Sequence, residues 1–268
     1  MHQFTNRHCP PVHYGGKIIH TAGDEYGDIL VVDDGNQRIL SFDSSFEQSC
    51  MQRSRPCQLV HQYTQFMALA TALVEPVHVT LLGLGGGSLL RTLHHVEPQC
   101  HFHIVELRPL VVDIAREYFQ LPDDQRTRFT LGDAFEEIAA IESNSSEIIF
   151  SDMYDACQMA PGQVQQTFLE QCRRVLREDG WLVINFLGRQ GERRAFLQTL
   201  GAVFPTVLVG ASSENSVLFA SATRYDAVAP DSSRLDSLER ALRQRFTHLA
   251  ARLDPFAVPG GRERGTAR

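Results

Sequence analysis

Lysine is nearly missing from this chain: Lys17 is the only one among 25 basic residues, which face 32 acidic ones for a formal net charge of −7. A broad nucleic-acid surface needs a basic face that releases counterions from phosphates, so nucleic acid is not an expected partner. Long apolar runs are missing too. No stretch approaches the ~18 residues of a membrane span, and Met1-His2-Gln3 leads into no apolar signal segment. The six cysteines (Cys9, Cys50, Cys57, Cys100, Cys157 and Cys172) form no CxxC pair and fit neither a disulfide framework nor a zinc site. The expectation is a cytoplasmic protein with reduced thiols, no metal and no membrane partner.

What remains is ordinary globular material. Hydrophobic residues make up 43% and charged residues 21% of 268, enough for one large domain and a small appendage. From Lys17 to about Ser44 the pattern is β, with Asp33-Asp34-Gly35-Asn36 as a hairpin signal between Asp28-Ile-Leu-Val-Val and Arg38-Ile-Leu-Ser-Phe. Leu59 to Val74 carries helical spacing through Tyr63, Phe66, Met67 and Leu73. Strand and helix then alternate. Strands are expected at 78–82, 101–106, 129–131, 147–151, 181–186, 206–209 and 217–221. Helices are expected at 88–95, 109–119, 134–141, 164–177 and 192–203. Such alternation implies a mostly parallel sheet with helices on both faces. Asp231–Leu253 reads as a further helix and Pro255 onward as a frayed tail. The division expected is 1–50 for a β-hairpin module, 51–225 for the catalytic domain, and 226–268 for the terminal helix and flexible tail.

Four places carry chemistry. Val79-Thr-Leu-Leu runs into Gly83-Leu84-Gly85-Gly86-Gly87 and then a helix, so a strand delivers a ligand to open backbone and unpaired N–H groups. Glu106 ends the next strand, nineteen residues after Gly87, where a carboxylate can accept from both ribose hydroxyls. Gly132-Asp133-Ala134 closes the third strand, where Asp133 either accepts from an adenine amino group or caps the following helix. Asp152-Met-Tyr-Asp155 ends the fourth strand, at the switch point opposite the glycine turn. His101 and His103 share one strand face without a third ligand, which reads as structural. Arg173, Arg174 and Arg177 read as a solvated helix face.

These segments resemble the polyamine aminopropyltransferases, the spermidine synthase family, over about residues 26–190. The hairpin is similar to that family's N-terminal β module, Tyr63-Thr64-Gln65 to its gating helix, and Val105-Glu106-Leu107 to its ribose segment. Gly132-Asp133-Ala134 is similar to its adenine segment, Asp152-Met-Tyr-Asp155 to its catalytic Asp-x-x-Asp, and the run from Gln171 to Asn185 is also typical.

The resemblance implies a Rossmann-like, S-adenosylmethionine-dependent methyltransferase-type α/β sheet with a small N-terminal β module. It implies decarboxylated S-adenosylmethionine as aminopropyl donor, a small putrescine-like amine as acceptor, and a homodimer or higher homo-oligomer. Gly83, Gly85, Gly86, Gly87, Glu106, Asp133 and Ala134 would hold the donor. Asp152 would take the amine's proton, while Asp155, Tyr63 and Gln65 would bind the acceptor.

The chain departs from the family at three points. Gly86 stands where the family's glycine loop carries Asp, Gln65 stands for Glu, and no Pro-Thr-Tyr segment matches Gly210 to Val217. Gly86 removes a carboxylate that would bind the amino group of the decarboxylated donor and repel the carboxylate of S-adenosylmethionine. Methyl transfer from S-adenosylmethionine is therefore an alternative, and a non-catalytic nucleoside-binding homologue is a third.

Overall fold

The computed structural model describes residues 15–42, 46–155, 158–212 and 215–257. Four antiparallel strands come first: β1 (Lys17–Asp24), β2 (Gly27–Asp34), β3 (Gln37–Phe42) and β4 (Phe46–Gln52), in that spatial order. Asp34 pairs with Gln37 around Gly35-Asn36, and Gly35 takes φ +56°, as the tight turn requires. β4 was not expected. Its sequence offers no apolar alternation, and a buried Ser49 sits where a hydrophobic residue would have marked the strand. β4 also crosses the boundary expected at residue 50.

The second sheet has eight strands: β5 (His78–Leu82), β6 (His101–Glu106), β7 (Thr127–Leu131), β8 (Ser146–Ser151), β9 (Leu176–Phe186), β10 (Thr206–Ala211), β11 (Ser216–Ser221) and β12 (Leu253–Pro255). Their order is β12-β10-β11-β9-β8-β5-β6-β7. From β7 to β9 neighbours are parallel; β11, β10 and β12 continue the sheet antiparallel. β5 lies between β6 and β8, so the chain leaves it in opposite directions and opens a crevice at the strand ends.

Helices cover both faces. α1 (Gln62–Ala68), α2 (Ser88–Val96), α3 (Pro109–Tyr118), α4 (Ala134–Glu137), α5 (Gln166–Val175), α6 (Gln190–Val203), α7 (Ser232–Leu242) and α8 (Thr247–Ala250) complete the described helices. One face gathers Phe66, Leu90, Phe102, Phe150, Trp181 and Phe246; the other gathers Ile149, Leu169, Leu182 and Phe204. The four-stranded sheet finds its partner in α3: Ile29, Val31, Leu40 and Met51 pack with Val111, Ile114 and Phe119. This small sheet is therefore seated beside the glycine turn.

Three expectations need correction. The helix expected from Leu59 begins only at Gln62, because Leu59 bridges to Met51 and is fixed by Gln244, which donates to its carbonyl and accepts from its N–H. The helix expected over 231–253 breaks at Arg243 (φ +51°), since Glu239 Oε1 takes the N–H groups of Phe246 and Thr247 and starts a new turn. Pro255 belongs to β12 at the sheet edge; residues 258–268 of the expected tail lie outside the described residues. The arginines of α5 also do more than meet solvent. Arg174 donates to the carbonyls of Ile138 and Ile141, Arg173 to Val203, and Arg177, just beyond the helix, pairs with Glu147 at 2.8 Å.

Candidate active site

The glycine turn is forced by contact. Gly83 leaves β5 at φ +93°, and a Cβ there would stand 2.3 Å from the carbonyl oxygen of Asp152. Asp152 in turn donates its N–H to the Leu82 carbonyl at 2.9 Å, so the ends of β5 and β8 are locked together. Buried Arg91 closes the turn from behind, donating to the carbonyls of Gly86, Phe119 and Pro56.

Glu106 spans the mouth of that turn. Its two carboxylate oxygens accept the N–H groups of Leu84 and Arg108, each at 2.9 Å. Burial pushes its pKa up, and those N–H donors pull back toward the charged form. A carboxylate offers about four lone-pair sites, so acceptor capacity remains for a ligand hydroxyl. Leu131, paired with Glu106 in register, and Leu107 leave apolar surface exposed at the strand ends, as a base-binding crevice requires. Asp133 is the N-cap of α4: its Oδ1 accepts from Phe135 N at 2.9 Å, so capping occupies one oxygen.

Gly86 is closed off rather than open. Its N–H donates to Ser49 Oγ at 2.8 Å, and a Cβ at Gly86 would stand 2.9 Å from Ser49 Cβ. A side chain at Gly85 would meet the same hydroxyl. The Gly86 N–H is thus held by β4 rather than left open to a ligand.

At the end of β8, Asp152 Oδ1 accepts from Asn185 Nδ2 at 2.8 Å, and Asn185 Oδ1 accepts from Asn215 Nδ2 at 2.7 Å. Tyr154 donates to the Asn185 carbonyl, while the Tyr63 hydroxyl hydrogen-bonds the Asp152 carboxylate. Desolvation raises the Asp152 pKa; Asn185, His61 and Tyr63 oppose the rise. Burial next to that carboxylate drives the Tyr63 phenol well above its ordinary value, so it stays a donor. Ser49, His61, Tyr63, Gly83, Ser88 and Asp152 are among the residues lining a cavity of about 20 Å³, room for one water-sized group.

Asp155 and Gln65 do not line that cavity. Asp155 Oδ1 accepts from Gln158 N at 2.7 Å, and its carbonyl takes Gln48 Nε2. Gln65 donates to the Leu59 carbonyl at 2.9 Å, a structural tie. His103 hydrogen-bonds Thr130 Oγ1 and His101 stacks on His78. Among the described residues no cluster of His, Cys, Asp or Glu could hold a metal ion, and no helix is long and apolar enough to cross a membrane.

The spermine/spermidine synthase domain matches residues 59–198, just over half of the chain and both sides of this site. The chain belongs to that family. It is a transferase, similar at 28% identity over 240 residues to the polyamine aminopropyltransferase of Neisseria meningitidis serogroup A, covering 87% of this chain and 91% of the relative. In structure the family member resembles a probable spermidine synthase from Corynebacterium glutamicum (TM-score 0.73, 22% identity, 89% and 90% of the two chains). It also resembles human methyltransferase-like protein 13 in complex with SAH (TM-score 0.58, 26% identity, 67% and 90%).

Four site residues escaped the sequence: Ser49, His61, Asn185 and Asn215. Only Asn185 carried a signal, as a lone amide on the buried strand Leu182-Val-Ile-Asn-Phe. Asn215 comes from the stretch with no family match, and residues 213–214 beside it lie outside the described residues.

Proposed function

We propose that the protein moves an aminopropyl group from decarboxylated S-adenosylmethionine to a small, putrescine-like amine. One observation carries this reading: the Asp152 carboxylate, held by Asn185 and Tyr63, lines a small cavity against Gly83 of the glycine turn. The donor's ribose belongs on Glu106 and its adenine beside Asp133 and Ala134, above Gly83–Gly87. Asp155, three residues after Asp152, is the candidate for the acceptor's far ammonium.

The reaction is an in-line displacement at the carbon beside sulfur. The acceptor arrives as ammonium and must lose a proton before its lone pair can attack. A desolvated carboxylate with a raised pKa suits that transfer, and fixing the amine next to the electrophilic carbon removes much of the barrier. The C–N bond forms as the C–S bond breaks, and methylthioadenosine leaves. The same reading assigns a cytoplasmic homodimer; a monomer by light scattering would remove the assembly.

Methyl transfer from S-adenosylmethionine is the second reading, favoured by the missing carboxylate at Gly86, where Ser49 presents a neutral hydroxyl to either donor. Incubation with each donor and a panel of amines separates the two. Methylthioadenosine is the expected product; S-adenosylhomocysteine instead, or no product with any amine, sinks the first reading.

A further inference from the structure

Each aminopropyl transfer to an ammonium acceptor releases one proton: the acceptor gives it up, the sulfonium becomes a thioether, and the product is a secondary ammonium. Asp152 receives that proton inside the cavity and must lose it before the next turnover. Its direct partners cannot carry it away. Asn185 is a neutral amide donor, and the Tyr63 phenol already holds its own proton. Ser49 Oγ receives the Gly86 N–H, and Thr64 Oγ1 donates to the His61 carbonyl.

His61 differs from every other lining residue. Its ring stacks on Tyr63, with centroids 5.6 Å apart and planes 17° apart, and lines the same cavity as Asp152. Its Nε2 is a buried nitrogen with no aligned hydrogen-bond partner, yet it lies 3.1 Å from Glu47 Oε1. A buried polar nitrogen without an aligned partner is uncommon in folded proteins. The Glu47 side chain is 31% exposed, so the pair reaches from the cavity wall to solvent. Imidazole is also the side-chain type that changes charge between pH 5 and 8.

We propose that His61 and Glu47 form the proton outlet of the transfer site, carrying the acceptor's proton from Asp152 through the one-water-wide cavity to bulk solvent. This rests on the transfer reading above. Proton balance is complete: Asp152 returns to carboxylate, His61 passes from neutral to imidazolium and back, and solvent takes the proton through Glu47. The titratable groups facing His61 are Glu47 from β4, Tyr63 on α1 and Asp152 after β8.

The test combines titration with kinetics. Histidine ¹⁵N NMR follows the His61 ring in the full-length protein, assigned with His61→Gln. Its midpoint should fall in both Glu47→Gln and Asp152→Asn, because each variant removes a neighbouring negative charge. With decarboxylated S-adenosylmethionine and putrescine, His61→Gln should lower kcat by at least about tenfold with KM within about twofold, and should remove one ionisation from the kcat–pH profile. His61→Ala should regain turnover with added imidazole. Wild-type protein inert with every amine overturns the transfer reading and the outlet with it. An active enzyme whose His61 midpoint ignores Asp152→Asn, or whose His61→Ala loss imidazole leaves untouched, overturns the outlet alone.

Discussion

The two halves of this site are assembled in opposite ways. The half proposed for the nucleoside is a series of strand ends, Gly83 after β5, Glu106 on β6 and Asp133 after β7, each followed by its own helix. The half proposed for the acceptor converges from five places: Ser49 on β4, His61 and Tyr63 at the start of α1, Asp152 after β8, Asn185 on β9 and Asn215 before β11. A series of local turns writes its signature into sequence spacing. A convergence does not, because its members meet only through sheet order and the docking of the small sheet on α3.

Substitutions can test whether the halves are separable. The largest effect is expected from Asp152→Asn, which removes the proton acceptor: kcat should fall by about 10²–10⁴-fold while methylthioadenosine affinity changes less than about twofold. The same variant carries a stability signature. Because burial raises the Asp152 pKa, its ionised form costs the folded state at neutral pH. Asp152→Asn should therefore melt at or above the wild-type temperature at pH 7, and the gap should close as pH falls through the wild-type carboxyl's folded pKa toward its unfolded value of 3.8. A lower melting temperature at pH 7 would contradict this.

Next in size is Gly83→Ala, which strikes the point where the halves touch. A methyl group 2.3 Å from the Asp152 carbonyl, at φ +93°, should cost about 3 kcal/mol in denaturant unfolding. It should impair nucleoside binding and turnover together; losing only one would show the halves to be less coupled than their contacts imply. Glu106→Gln puts an NH₂ donor against the N–H of Leu84 or Arg108. Methylthioadenosine binding should weaken by about 1.5–3 kcal/mol in calorimetry, with turnover at saturating donor nearly retained. Smallest is Ser49→Ala, which leaves the Gly86 N–H without its acceptor and should cost about 1 kcal/mol of stability.

Legibility in the sequence follows the same division. β5 and β6 were readable to the residue, because buried apolar strands bounded by a glycine turn and by Glu106 leave little choice. β4 was not, since it has no apolar alternation and its buried Ser49 is held by a hydrogen bond from Gly86 rather than by hydrophobicity. The break after α7 was hidden because Glu239 captures backbone groups seven and eight positions ahead, a competition that helical periodicity cannot register. Asp133 was a true ambiguity, cap or base contact, and the cap it makes uses one of two oxygens.

Ser49 has a consequence for how this enzyme can change. Its β-carbon fills the space a side chain at position 86 would need, so the family's acidic loop residue and this serine exclude each other. On the proposed reading, donor preference would not be exchanged at the loop alone: a side chain at position 86 needs room that a strand nearly forty residues upstream now takes.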